Sequence, residues 1–148
     1  MTALNLAKPE DFDRLVPLVQ AFQSEAGIEN SAENLREALH PLLEGSPYGA
    51  AYLLGPARAP IGYIVIVFTW SLEFAGLEGY VDEFYIRPNV RGRGIGAEVL
   101  RTLPKALAGA GLNALSLEVQ RDNERAIRLY SRARFISRDD YVMMTRKL

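Results

Sequence analysis

The chain contains no cysteine, one histidine and one tryptophan among 148 residues, and its formal charge is −1. Without cysteine there is no disulfide, thiolate metal site or thiol nucleophile, so any group transfer must avoid a cysteinyl intermediate. The single histidine, His40, lies in "LREALHPLLEG" and reads as a surface or cap residue of a helix. A histidine-based metal site and a Ser-His-Asp triad therefore lack their parts, and no metal is expected. Near-neutral charge argues against non-specific binding to nucleic acid, which needs many uncompensated Lys and Arg to displace counterions. The longest apolar run, Ile61 to Phe68, is strand-sized and far below a membrane span. The N-terminal stretch is acidic and amphipathic with no apolar h-region, so a cytoplasmic protein is expected, with neither membrane nor nucleic acid as partner.

What is present suits one domain over residues 1–148. "LNLAKP" reads as a short strand, and a helix follows from about Pro9 to Ser24, with Pro17 expected to kink it. Asn30 and Glu33 resemble a capping box for a second helix, Ser31 to Glu44. "GAAYLLG" and "PIGYIVIVFTWSLEF" read as strands joined across "PARAP". The segment Ile64 to Phe68 is apolar on both faces and fits a central strand.

After "AGLEG" comes the strand "YVDEFYI", whose alternation slips by one residue between Val81 and Phe84. A β-bulge at Asp82 and Glu83 repairs the phase, and bulges gather where a side chain must be aimed. Next come a helix from Gly94 to about Ala108, a strand "ALSLEV", a helix from Asn123 to Ala133 and a closing pair of strands, "RFISR" and "YVMMTRKL". The expected fold is α+β: a mixed, mostly antiparallel sheet of six to seven strands flanked by about four helices.

The stretch Arg91-Gly92-Arg93-Gly94-Ile95-Gly96-Ala97 opens the third helix. Glycines let a ligand reach main-chain N–H groups. The first N–H groups of a helix lack internal partners and carry partial positive charge, so with two arginines the turn suits a pyrophosphate. "GRGIGA" also satisfies the dinucleotide fingerprint, with Glu118 on a later strand as ribose acid. Against NAD stand the residues Pro88 to Arg91 between strand and loop, the acids in that strand, and the short remainder of the chain.

Arg91 to Gly96, in the pattern R-x-x-G-x-G, resembles the acyl-CoA pyrophosphate loop of the GNAT N-acetyltransferase superfamily. Asn123, Ala126 and Tyr130 resemble that family's N-x-x-A-x-x-x-Y block, and the likeness covers residues 79 to 136. The resemblance implies acetyl transfer from acetyl-CoA to an amine in a ternary complex. It implies that Phe84, Tyr85 and Ile86 offer main chain to the pantetheine arm where their strand diverges from "ALSLEV". It further implies that Asn123 bonds the arm and Tyr130 is general acid to the leaving thiolate. A carboxylate near the bulge suits a general base, Glu83 first and Asp82 second.

Glu25, Glu29, Glu73, Glu78, Asp82 and Glu83, with Trp70 and Phe74, suggest an acidic, aromatic cleft for a small cationic amine. Trp70, Asp82 and Glu83 are the candidate acceptor contacts. The alternative within the same resemblance is an acyl-CoA sensor without turnover. Family habit allows a homodimer. Two departures stand out: Arg134 where the family has glycine, and Pro104 inside the third helix.

Overall fold

The computed structural model describes residues 1–148. In chain order the elements are β1 (Leu4–Leu6), α1 (Phe12–Glu25), α2 (Ala32–Leu43), β2 (Gly49–Leu54), β3 (Gly62–Ser71), β4 (Gly76–Ile86), α3 (Ile95–Gly109), β5 (Leu112–Leu117) and α4 (Glu124–Arg132). The sheet runs β1-β2-β3-β4-β5. Its first three pairings are antiparallel and β4–β5 is parallel.

Apolar residues at helical spacing place α1 and α2 on one face. Leu15, Leu18 and Val19 of α1 and Leu35, Leu39 and Leu43 of α2 pack on Leu53, Tyr63, Val65 and Tyr85. On the other face Val99, Leu103 and Leu107 of α3 cover Leu54, Ile64, Ile66 and Val81. Helices on both sides explain the unbroken apolar run of β3, which is the middle strand as expected. The α1–α2 layer packs on β2, β3 and β4, whereas α3 also packs on β5, and α4 contributes no fully buried residue. The sheet face beyond β4 on the α1 side is therefore left open.

Several boundaries differ from the sequence expectation. Ser31, not Asn30, caps α2, its Oγ accepting from the Asn34 N–H at 3.0 Å. Pro17 and Pro104 are both carried inside helices. "AGLEG" is mostly strand: β4 starts at Gly76, and the turn is shortened to Leu72–Ala75 with Ala75 at φ 57. His40 is exposed and stacks on Phe12, with ring centres 4.4 Å apart.

The largest correction is at residues 135–148, where neither expected strand forms, so the sheet has five strands instead of six to seven. Apolar alternation makes a segment strand-like, but a strand exists only through its partner's hydrogen bonds. The one main-chain bond within 136–148 is Tyr141 N–H to the Arg138 carbonyl, which closes a turn. Ion pairs hold the segment instead, Arg138 to Glu73 at 3.1 Å and Asp139 to Arg121 at 3.7 Å.

Candidate functional site

Register shows the bulge directly. Val65 faces Glu83 and Ile66 faces Val81, so Asp82 is the extra residue of β4. Val81 points toward α3. Without the extra residue the next alternate position, Glu83, would point there as well. With it, Glu83 turns to the opposite face, where its Oε1 accepts from the Tyr63 hydroxyl at 2.7 Å and its Oε2 from Gln23 Nε2 of α1 at 3.1 Å.

Parallel pairing of β4 with β5 stops at Val81↔Leu117, while β4 runs on to Ile86. The two strands part there, as expected for Phe84-Tyr85-Ile86. The parting opens a cleft of about 1300 Å³. Asp82, Phe84, Tyr85 and Ile86 line one wall, and Glu118, Val119 and Gln120, just past the end of β5, line the other.

The glycine-rich loop closes one end. Gly92 and Gly94 take φ of 79° and 78°, left-handed values that favour glycine. From Gly92 through Ala97 no main-chain N–H has an acceptor in the protein. Those donors, gathered at the start of α3, form a cradle for an anion. Gly92, Gly94, Ile95, Gly96 and Ala97 all line the cleft, and Arg91 does too. Arg93 does not; it is exposed and lies outside the lining. Arg91 is already engaged: its Nε donates to the Ile86 carbonyl at 2.7 Å and its Nη2 to Glu25 at 2.8 Å. The Glu25 bond raises the guanidinium's already high pKa.

From α4, Ala126, Leu129 and Tyr130 face the cleft, with Asn123 at its cap. The Asn123 Oδ1 accepts from the Ala126 N–H at 3.1 Å, so the residue caps α4 while it lines the cleft. Tyr130 is half-buried, edge-on to Phe135 at 5.9 Å, and burial pushes its hydroxyl pKa up. It is a hydroxyl that stays protonated.

Partial loss of solvation between the cleft walls raises the Asp82 carboxyl although the residue stays solvent-exposed, with the Glu118 charge adding to the shift. Glu83 is raised by burial in spite of its two hydrogen bonds, which pull the other way. Tyr80, beside Glu118, is raised by burial and then by that carboxylate. Glu78 joins the same floor, holding the Ser116 hydroxyl at 2.8 Å.

Of the acceptor contacts expected from sequence, Asp82 lies on the cleft wall. Glu83 sits behind it. Trp70 is 70% exposed and outside the lining, because β3 runs past the covered part of the sheet before its turn. Glu73 is spent on Arg138, and Phe74 stays in the hairpin turn. Sequence reading missed Tyr63, Gln23 and Arg125. Only the pairing register could have disclosed Tyr63, which lies opposite Tyr85 and reaches Glu83 from the neighbouring strand.

With a single parallel pair, the sheet cannot form the βαβ set of a dinucleotide fold. The profile of the Acetyltransferase (GNAT) family matches residues 15–135. Thialysine N-epsilon-acetyltransferase from Bos taurus is 31% identical over 70 residues. That match covers 47% of this chain and 41% of the relative, so the chain aligns with under half the length of the curated relatives. Among solved structures, the integron cassette protein HFX_CASS3 from the mobile metagenome of Cole Harbour Salt Marsh superposes with TM-score 0.83. It is 32% identical, covering 98% of this chain and 90% of that one. A "predicted acetyltransferase with acetyl-CoA" from Clostridium acetobutylicum gives TM-score 0.78 at 18% identity, covering 98% and 96%.

Proposed function

Because the chain belongs to the acetyltransferase (GNAT) family, we propose that it transfers an acetyl group from acetyl-CoA to a primary amine on a small cationic acceptor. The observation that carries this reading is the unclaimed run of N–H groups from Gly92 to Ala97, opening into the gap between β4 and β5. A pyrophosphate fits the first and an extended arm fits the second. Acetyl-CoA supplies the activated thioester.

The rest of the chemistry falls to this chain's residues. Main chain of Phe84 to Ile86, left unpaired by β5 except that the Ile86 carbonyl is held by Arg91, binds and orients the arm, together with Asn123. A carboxylate at the bulge takes a proton from the acceptor ammonium, because only the neutral amine is a nucleophile. The Tyr130 hydroxyl gives a proton to the departing sulfur and recovers one from the nitrogen. The acidic floor of Glu78, Asp82 and Glu118 favours a cationic acceptor by charge. The name of the bovine relative, an N-epsilon-acetyltransferase of a lysine analogue, supports an amine of that class.

Thermal unfolding with acetyl-CoA, CoA or NAD added separately tests the cosubstrate. A ligand of the folded state at 100 times its Kd stabilises by about 2.7 kcal/mol. A shift with both CoA forms and none with NAD is expected, followed by turnover with diamines and lysine analogues. Absence of any shift with CoA at saturation overturns the reading. CoA binding without turnover on any amine would identify a sensor.

A further inference from the structure

Resting on that acyl-transfer reading, we propose that the two adjacent carboxylates of the bulge have separate duties. Asp82, with Glu118 beside it on the cleft, receives the acceptor's proton. Glu83 is a positioning residue that ties β4 to α1 through Tyr63 and Gln23.

Glu83 is poorly placed as a base. Both of its oxygens accept a hydrogen bond, one from a tyrosine that is 0% exposed. Each donor stabilises the anion, and protonation would have to break or reverse one of the bonds. Its side chain is also absent from the cleft lining. Asp82 has neither restriction: it makes no hydrogen bond to another side chain, keeps access to solvent and lines the cleft with Glu118 and Tyr80. The bulge produces this division, since its extra residue sends Glu83 to the α1 face and leaves Asp82 at the parting of the strands.

The groups facing Asp82 come from every side of the cleft. Tyr80 and Glu83 lie on its own strand, Tyr63 on β3 and Glu118 past β5. At the rim stand Glu25 of α1, paired with Arg91, and Arg125 of α4. Loss of solvation in the cleft and then the Glu118 charge move the Asp82 carboxyl upward, toward a working base.

The step balances as follows. R–NH3⁺ gives one proton to the Asp82 carboxylate, freeing the nitrogen lone pair. That pair forms the C–N bond to the thioester carbon as the C–S bond breaks. The sulfur takes the Tyr130 proton, and the second proton lost by nitrogen restores Tyr130. Asp82 then releases its proton to water.

The test is kinetics across about pH 6–9 for the native chain and for Asp82→Asn, Glu118→Gln, Glu83→Gln and Tyr63→Phe, with an amine the native chain acetylates. Carboxyl NMR titration of the free proteins is run alongside. Asp82→Asn is expected to lower kcat by about 10²–10⁴-fold and to remove the acid limb of kcat/KM. Glu118→Gln should move that limb and the Asp82 titration to lower pH. Glu83→Gln and Tyr63→Phe should lower Tm and cost kcat no more than about tenfold, with the limb unmoved.

If Glu83→Gln removes the limb while Asp82→Asn keeps it, this assignment falls and acetyl transfer stands. An Asp82 midpoint indifferent to Glu118→Gln also overturns the pairing. If the native chain binds CoA yet acetylates no amine, the proposed function itself falls and takes this inference with it.

Discussion

The Arg91 guanidinium donates to the Glu25 carboxylate at 2.8 Å while lying 5.4 Å above the centre of the Tyr85 ring. An arginine at the mouth of an anion cradle is thus held by the end of α1 before any anion arrives. Both partners are well exposed, at 37% and 49%, so the pair is worth no more than about 1 kcal/mol. Glu25→Gln should release Arg91 to phosphate oxygens and tighten CoA binding by up to about fivefold, with little change in Tm. Arg91→Ala should weaken it by roughly tenfold or more. Titration calorimetry with CoA measures both.

Tyr130→Phe keeps the packing against Phe135 and removes only the hydroxyl. We expect kcat to fall by about 10²–10⁴-fold, with KM for acetyl-CoA changed less than about twofold. Because burial raises this hydroxyl, its acid form persists above the ordinary tyrosine range. The native chain should therefore show no alkaline loss of kcat from Tyr130 below that range. Steady-state rates across alkaline pH decide it.

Arg134 stands at φ 72, just past α4. Its N–H bonds to the Ser131 carbonyl, and the Phe135 N–H bonds to that of Tyr130, the paired closure usually given to glycine. A left-handed L-residue costs about 1–2 kcal/mol, offset in part by the greater freedom glycine has when unfolded. Arg134→Gly should raise Tm by about 2–4 °C, as read by calorimetry.

Glu98 receives the Thr2 N–H at 2.6 Å and its hydroxyl at 3.0 Å. These bonds, the backbone one first, depress its carboxyl below the ordinary value. A depressed carboxyl stabilises the fold above its unfolded-state pKa, and that contribution is lost as pH falls through the folded value. Denaturant midpoints of the native chain and Glu98→Gln should differ near neutrality and converge in acid. A constant gap at all pH values would assign the difference to packing.

How much of this could be read from sequence depended on the range of the interaction. The bulge was visible because a period-two pattern broke between Val81 and Phe84, a purely local signal. The cradle was visible because alternate glycines and a helix start share one stretch of chain. The contact from Tyr63 to Glu83 was not, since it depends on the register of two strands and on the direction in which the bulge turns a side chain. Trp70 looked like a cleft residue because it neighbours acids in sequence, yet β3 carries it past the cleft. The two closing strands failed for a related reason: the apolar side chains of Val142 and Met144 imply pairing, but no edge hydrogen-bonds to that segment.

Past Val81, β4 is an edge strand located inside the molecule. Exposed edges invite other chains to add on, and proteins guard them with charge, twist or cover. Here the guard is cover: residues of the glycine-rich loop, the start of α3 and α4 line the gap beside it. The same parting that ends the β4–β5 ladder turns the far end of β4 toward the cleft and away from neighbouring molecules.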